Sequence, residues 1–477
     1  MRVPAVADSR SRSLKAATAS QVLWATLSEL RFRLVLLLGS VAYVAIVLWS
    51  YVYIVAPDFA YSGYTYSQPA PVLFLLSCTV AVVPSLWMPI TLRRPSQVIY
   101  WLLYLLVFVP ASTIPFLSLY IDSGRLLLFE ASLFVAFASL SIVHKIPLLR
   151  LPRLRTSALS FWMVVALLSV SFYVYIVSVF GLRFNIVALT AAYDLRSEYK
   201  ATLGTEGSLV QYALGWQSYT LNPLLIAYGL TNKRPILLLG GVSGQLMIFS
   251  ITGFKSVFFS GVLIFALWVA LQARGRRFGL YTVYGALGLV LISTLMDLLG
   301  RSSFISSLFV RRLIHTPGLL TGYYFEFFSN NPKAFLGHSI LSRFVEYAYD
   351  TPPALMIASV YFRSPDVSAN ANVWADAFAN FGYLGLFGFT VLLGLVLWAF
   401  DSVAKGRDYK LTCLMAGVPA FTLCNSALLT SLLTHGIGLA LLLVYLMPRA
   451  RVTSVMSGES AARRTTLGRR SEAARRV

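Results

Sequence analysis

Apolar runs of about 20 residues recur between residues 34 and 447, and they constrain the fold more than any other feature of this chain. A helix needs about 20 apolar residues to cross the hydrocarbon core of a bilayer. Only 12% of the 477 residues are charged and 58% are hydrophobic, whereas soluble domains are about 25% charged. So few charges cannot cover the surface of a soluble enzyme, and the sequence predicts a polytopic membrane protein.

Clusters of charge, Pro or Gly bound about twelve candidate spans. The spans are residues 34–56, 71–92, 98–118, 125–143, 158–180, 209–230, 235–252, 256–272, 278–298, 378–400, 411–426 and 427–447. Because an open sheet edge is not stable in lipid, we expect every span to be helical and the fold to be all-α. The last pair also fits one helix followed by a re-entrant piece.

The charge balance indicates the orientation. The chain has 39 Lys and Arg against 18 Asp and Glu, a net charge of +21. With the N-terminus in the cytoplasm, most basic residues fall on the inner side, as the positive-inside rule requires. We therefore expect a basic cytoplasmic segment over residues 1–33, a membrane bundle over 34–447 and a disordered basic cytoplasmic tail over 448–477. The expected partners are membrane lipids and not nucleic acid.

Two long outer loops, residues 181–208 and 299–377, hold most of the ionisable groups outside the inner segments. The second is rich in Tyr and Phe, so we expect a folded periplasmic loop with amphipathic helices on the membrane. Within the spans, Glu130 and Asp297 fit structural pairs or the aqueous rim, and His435 fits a packing residue. This distribution argues against an ion-coupled transporter, which usually carries charges near the midplane.

Each long outer loop carries an Arg followed by ten residues and a Gly: Arg196 to Gly207, and Arg311 to Gly322. On a twelve-span scaffold with both termini inside, this pair resembles the Wzy-type O-antigen or oligosaccharide repeat-unit polymerases. The stretches that share the resemblance are Leu195 to Tyr199, Gly253 to Ser256, Tyr324 to Phe328, Gly337 to Ser339, Asn370 to Asn372 and Asp376 to Gly382. It covers roughly residues 180–385.

The resemblance implies a GT-C-like glycosyltransferase in the bacterial inner membrane, with its active site facing the periplasm. Such an enzyme polymerises undecaprenyl-diphosphate-linked oligosaccharide repeat units into a surface polysaccharide, which is an O-antigen, a capsule or an exopolysaccharide. We expect no cofactor and no metal, because no Asp-x-Asp motif or His/Cys cluster has ligand spacing in the outer loops. A flippase and a chain-length regulator are candidate partners. Two alternatives remain: an O-antigen ligase, and a flippase or transporter of the same lipid-linked glycan.

The chemistry implied by the resemblance assigns roles to the residues. A diphosphate leaving group needs fixed positive charge, which guanidinium forks supply. The predicted diphosphate or glycan ligands are Arg196, Tyr199, Lys255, Arg311, Arg312, Tyr324, Asn370 and Asn372. The acceptor hydroxyl needs a proton acceptor. The predicted candidates are His315, His338, Glu326 and Asp376.

Each assignment has a structural alternative. Arg311 and Arg312 could reach lipid phosphates instead. Nearby carboxylates could neutralise Arg196 on a surface, and Lys255 could snorkel at a tight turn. The histidines could be ordinary loop residues, and the aromatic run over residues 323–328 could form an interfacial belt.

Overall fold

The computed structural model describes residues 6–119, 121–152, 154–184, 195, 199, 208–272, 277–365 and 367–449. All regular structure within these ranges is helical, which confirms the all-α prediction for the described part of the chain.

The α-helices of six or more residues are numbered in chain order. The first nine are α1 (Val6–Ser50), α2 (Pro71–Val82), α3 (Ser96–Leu103), α4 (Val109–Ser118), α5 (Ser123–Val143), α6 (Ala158–Phe180), α7 (Ser208–Trp216), α8 (Asn222–Asn232) and α9 (Pro235–Thr252). The next nine are α10 (Lys255–Gln272), α11 (Phe278–Gly300), α12 (Thr316–Asn330), α13 (Pro353–Phe362), α14 (Val373–Ala404), α15 (Tyr409–Met415), α16 (Gly417–Asn425), α17 (Leu428–Leu433) and α18 (Ile437–Leu446). Wider π-helical turns extend or join them at π1 (Tyr51–Val55), π2 (Tyr104–Phe108), π3 (Gln217–Leu221) and π4 (Ser306–His315).

Nine helical segments of the described chain are long and apolar enough to cross a membrane. They are Leu27–Ser62, Ser96–Ser118, Ser123–Val143, Ala158–Phe180, Pro235–Thr252, Lys255–Gln272, Phe278–Gly300, Val373–Ala404 and Leu428–Leu446. Each of them overlaps one of the twelve predicted spans. The described chain is therefore a polytopic membrane protein.

The other three predicted spans are also helical, but they are shorter or more polar. The helix that begins at Pro71 ends at Leu86, six residues before the predicted end of its span. The segment over residues 208–232 is continuous through π3, yet it carries buried Gln217 and Asn222. The span predicted over 411–426 is divided into α15 and α16. The full count of twelve spans remains a prediction.

A buried polar network fixes the helices around π3. The Gln217 amide donates to the Asn222 side-chain oxygen at 2.7 Å, and Tyr173 donates to the same oxygen at 2.9 Å. Asn222 in turn donates to Gln245 at 3.3 Å, and the Gln245 amide donates to Ser260 at 2.6 Å. Since polar groups are costly in an apolar bundle unless they are paired, this network sets the mutual positions of α6, π3, α9 and α10.

The helical bundle has two ends, which differ in the residues that they hold. We call the end that holds residues 301–372 the loop end. At the opposite end, the Asp401 carboxylate accepts hydrogen bonds from the backbone N–H of Ser96 at 2.9 Å and from its hydroxyl at 2.7 Å. Arg94 lies 4.0 Å from the same carboxylate. These contacts tie the start of α3 to the far end of α14.

The segment formed by π4 and α12 crosses the loop end inside the bundle. The Asp297 carboxylate caps its start, since it accepts from the N–H groups of Ile305 at 3.0 Å and Ser306 at 2.5 Å. A Cβ added at Gly318 would lie 2.5 Å from the Pro110 carbonyl oxygen, so the glycine permits close packing on α4. Residues 317–325 are all buried. This helix is therefore buried more deeply than the amphipathic surface helices expected in the 299–377 loop.

The structure describes the predicted terminal segments and the first long loop only in part. The segment predicted over 1–33 is helical from Val6 onward and continuous with the first span, and its cytoplasmic location remains a prediction. Most of the predicted outer loop over 181–208 lies outside the described residues. The tail predicted as disordered over 448–477 lies outside them from residue 450 onward.

Candidate functional site

A cavity of about 210 Å³ at the loop end brings together four of the residues predicted from the sequence. These are Tyr324, His338, Asn370 and Asp376. The rest of the lining consists of Pro352, Pro353, Ala354, Ala371, Ser426, Ala427, Thr430 and His435. The cavity thus lies between α12, the turns that follow it, the start of α14 and the last helical stretch of the bundle.

His338 reaches the cavity because the turn before it is bonded to α14. The N–H of Phe335 donates to the Asn380 carbonyl at 3.2 Å, and the N–H of Leu336 donates to the Asn380 side-chain oxygen at 2.8 Å. Phe335 and Leu336 have positive φ angles of 46° and 58°, a conformation that residues other than glycine rarely adopt. The hydrogen bonds hold this unfavourable turn in place, as is common where a segment is shaped for binding.

Asp376 lies in the first turn of α14, with 9% of its surface exposed. Its carboxylate accepts a hydrogen bond from the Asn380 amide at 3.3 Å. Asp376 is therefore held at the cavity wall with lone pairs available to a ligand.

Two histidines line the cavity, and the sequence singled out only one of them as a site residue. The Nδ1 atoms of His338 and His435 are both buried, and neither has a hydrogen-bond partner within the described part of the chain. Burial lowers the pKa of His338, so its imidazole is neutral near pH 7 and can accept a proton. The sequence favours a packing role for His435, although an ionisable residue in a span is itself a functional signal.

Tyr324 shapes the cavity through its hydroxyl. The ring is buried, and the hydroxyl donates to the Ala369 carbonyl at 2.9 Å. This bond positions the segment that carries Asn370, which is exposed at the cavity.

Asn372 lies nearby but has a structural role. Its side-chain oxygen accepts from the N–H groups of Trp374 at 3.0 Å and Ala375 at 3.2 Å, which caps α14. Its amide donates to Thr321 at 2.7 Å. The structure therefore places Asn372 behind the cavity and not in its lining.

Arg311 lies apart from the cavity, on an aromatic surface. Its guanidinium lies 4.1 Å from the centre of the Phe59 ring and 5.5 Å from that of Tyr64. It also donates to the Ser307 hydroxyl through two nitrogens, at 3.1 and 2.8 Å. Along the helix, Arg311 and Tyr324 are separated by roughly 20 Å at about 1.5 Å per residue. Arg312 is half-buried at the adjacent position.

A line of contacts connects the predicted residues Tyr199 and Lys255 to the cavity wall. The Tyr199 ring lies 5.3 Å from the Phe254 ring, directly before Lys255 at the start of α10. The next residue, Ser256, is hydrogen-bonded to the Tyr219 hydroxyl at 3.1 Å. The Tyr219 ring in turn lies 5.2 Å from His435. Arg196 lies outside the described residues.

His315 and Glu326 are placed elsewhere. His315 has no exposed surface, and its Nε2 lies 3.0 Å from the Val47 carbonyl and 3.2 Å from the Ser50 hydroxyl. Glu326 is half-buried beside Tyr361, whose pKa is raised by burial and by the Glu326 charge. The structure does not bring either residue into the cavity.

No protein-family model, curated protein or solved structure matches the chain. Within the described ranges, no three His, Cys, Asp or Glu side chains are grouped closely enough to hold a metal ion. The cavity residues themselves combine proton acceptors, hydroxyls and an amide. Such a set suits proton transfer from a hydroxyl and hydrogen bonding to a polar ligand.

Proposed function

We propose that this chain is a lipid-diphosphate-dependent glycosyltransferase that polymerises undecaprenyl-diphosphate-linked oligosaccharide repeat units. The reaction takes place at the outer face of the bacterial inner membrane and builds a surface polysaccharide. The main support is the cavity that combines His338, Asp376 and His435 at one end of a membrane bundle.

The size of the cavity fits a reacting sugar more than a whole repeat unit. Its volume of about 210 Å³ is below the roughly 300–1,000 Å³ of pockets that enclose drug-sized ligands. The rest of the glycan would therefore extend over the loop end. The amide of Asn370 and the hydroxyl of Thr430 are available for hydrogen bonds to sugar hydroxyls.

The proposed step transfers a growing glycan to a new repeat unit. The acceptor hydroxyl oxygen forms a bond to the anomeric carbon of the donor, while the bond from that carbon to the diphosphate oxygen breaks. The hydroxyl proton moves to a neutral imidazole or to the Asp376 carboxylate. The electron pair of the broken bond leaves with undecaprenyl diphosphate.

Positive charge must stabilise that leaving group. Lys255, which adjoins Ser256 and the Tyr219–His435 side of the cavity, and Arg196 are the ligands proposed for it. Arg311 and Arg312 are proposed to hold the diphosphate of the acceptor unit. Arg311 lies roughly 20 Å along the helix from Tyr324, and only the acceptor's diphosphate is separated from the reacting hydroxyl by sugars. An arrangement with two substrate positions suits a polymerase, which binds two lipid-linked glycans at once.

Analysis of the lipid-linked pool after gene deletion tests the proposal. Loss of a polymerase leaves single repeat units that still reach the surface. Loss of a ligase leaves long lipid-linked polymer, and loss of a flippase traps units that face the cytoplasm. Either of the last two results would refute the polymerase proposal, and purified protein with synthetic lipid-linked units should reproduce polymer formation directly.

A further inference from the structure

An apolar groove runs along α14 beyond the kink at Gly382. It encloses about 380 Å³ and is lined by carbon-rich residues, among them Phe335, Phe381, Leu384, Gly388, Phe389 and Leu392. The helix at this point belongs to one of the nine candidate spans of the described chain. The groove therefore opens where hydrocarbon, and not water, is the expected surrounding.

Two glycines of α14 lie at the groove: Gly382 beside its loop end and Gly388 in its lining. Gly382 has a φ of 62°, a left-handed conformation that bends α14 and that other residues rarely adopt. At Gly388 an added Cβ would meet no atom within 4 Å, so this position is open space on the groove floor. The backbone at Gly388 thus leaves space free, and apolar side chains such as Phe335, Phe381 and Leu384 form the walls around it.

The ammonium group of Lys333 lies at the loop end of this groove. The Cε of Lys333 would lie 3.3 Å from a Cβ added at Gly382, and its ammonium lies 4.6 Å from the centre of the Phe378 ring. The ammonium also donates to the Phe328 carbonyl. A half-buried lysine with two donor positions beyond that bond is suited to a phosphate oxygen.

We propose that the groove binds the isoprenoid chain of a polyprenyl phosphate or diphosphate, with its phosphate at Lys333. The proposal rests on the glycosyltransferase function, for which it assigns the lipid position of one substrate. Phe335 lines the groove and His338, three residues later, lines the cavity. A lipid seated in the groove would therefore present its head group next to the reacting residues.

Charge complementarity favours this occupant over a second copy of the chain. A second copy of the chain could pack on the small residues of α14, as membrane helices often do, but it would leave Lys333 without an anionic partner. An ordinary phospholipid also supplies a phosphate, and the polyprenyl chain is preferred to it because a polyprenyl diphosphate carries the substrate of the proposed function. The experiment described next can detect either of these two occupants.

Photolabelling of the full-length protein in vesicles of phosphatidylethanolamine and phosphatidylglycerol tests the proposal. The probe is a polyprenyl monophosphate with a diazirine in the isoprenoid chain. We expect label within residues 381–392, competed by unlabelled polyprenyl phosphate but not by the uncharged polyprenol. Gly388→Leu should fill the groove and reduce labelling roughly tenfold or more, as expected when a buried contact surface is blocked. Gly240→Leu is the matched control, because Gly240 is also an exposed helix glycine with no atom near an added Cβ.

Variants of Lys333 test the head-group position. Lys333→Met should remove the preference for phosphate over alcohol, and Lys333→Arg should keep it. Labelling that Gly388→Leu leaves unchanged would overturn the proposal. So would equal competition by polyprenol or excess phosphatidylglycerol, or crosslinks between two copies in place of lipid label.

The labelling experiment can fail or succeed independently of the polymerase proposal. Binding of the probe requires no turnover, so labelling is scored without any glycan substrate present. Specific label without polymer formation would retain the groove and reject the polymerase. Polymer formation without specific label would reject the groove alone.

Discussion

The side-chain amide of Asn380 donates to the Asp376 carboxylate at 3.3 Å, one turn earlier on α14. The oxygen of the same Asn380 side chain accepts the N–H of Leu336 at 2.8 Å. One buried residue thus joins Asp376 to the turn that carries His338. We infer that Asn380, which lies in a stretch that shares the resemblance but was assigned no role from the sequence, positions two cavity residues relative to each other.

Replacement of Asn380 should therefore lower turnover more than substrate binding. Asn380→Ala removes both bonds and a third, from the Asn380 amide to the Asp376 backbone carbonyl at 2.9 Å. The loss of a buried hydrogen bond of about 1–3 kcal/mol corresponds to roughly five- to 150-fold in kcat. KM should change little, because Asn380 does not itself line the cavity. Asn331→Ala is the control, since this exposed asparagine only bonds the Phe327 carbonyl nearby. A change in KM with unaltered kcat would contradict the positioning role.

The two histidines His338 and His315 should respond differently to the same replacement. His338→Gln removes a candidate base at the cavity, so we expect a loss of about 10²–10⁴-fold in the polymerisation rate. His315→Gln alters a buried contact with Val47, so it should lower the yield and thermal stability while the folded fraction keeps its activity. Rates per folded protein and thermal unfolding in detergent distinguish the two effects. Equal loss of specific activity in both variants would make His315 a candidate base again.

The pH dependence follows from the burial of His338. Burial disfavours the imidazolium, so the pKa of His338 lies below the ordinary value of about 6.5. The His338 imidazole is therefore still mostly neutral at pH 6.5, and it becomes protonated at a lower pH. We expect the acid limb of kcat to lie below pH ~6.5.

Tyr347 provides the check on this assignment. Its ring lies 5.5 Å from the His338 ring, so Tyr347→Ser should hydrate the imidazole and move its pKa upward. The acid limb of kcat should then shift to higher pH. A limb that does not move would point to another titrating group, with His435 the first to test.

The fold was predictable where hydropathy alone decides it. Nine of the predicted spans are long apolar runs, and each overlaps a helix of the described chain that is long and apolar enough to cross a membrane. The burial of π4 and α12 was not predictable in this way, because Arg311, Arg312 and Glu326 lower the hydropathy of the segment. What buries it is close packing at Gly318 and Gly322, and such contacts depend on a distant partner helix.

The site was predictable only in part, for a related reason. Tyr324, His338, Asn370 and Asp376 belong to one loop and its boundary, so proximity in the sequence indicated proximity in space. His435 comes from the last span and meets them only through the fold. A lone histidine in an apolar run gave no spacing or motif to connect it with the others.

The orientation of the bundle is tested with reporter fusions. The distribution of Lys and Arg predicts that the loop end faces the periplasm. A reporter fused after Asn330 should behave as periplasmic, and one fused after Ser457 as cytoplasmic. A cytoplasmic result for Asn330 would place the cavity on the wrong side for polymerisation and would reject the proposed function.

Substitution of Arg311 and Arg312 by Lys tests whether they bind the diphosphate. Lys keeps the charge but cannot reproduce the planar fork or the stacking of Arg311 on Phe59. If the fork binds the diphosphate of a substrate, the loss should be about 1.5–3 kcal/mol, or roughly ten- to a hundredfold in kcat/KM. If the pair only anchors the segment to lipid phosphates, Lys should serve nearly as well and only Ala should reduce activity.

The comparison needs a matched arginine outside the site and a check on folding. Arg125 is exposed at the loop end, where it donates to the Asn330 side chain at 3.1 Å, so Arg125→Lys should leave polymer length unchanged. Because Arg311 also bonds Ser307, thermal unfolding must show that Arg311→Lys remains folded before its rate is compared. Polymer ladders are then scored at equal membrane abundance. Full-length ladders from both Lys variants would remove Arg311 and Arg312 from the active site, because a bidentate contact felt in the transition state could not be replaced without loss.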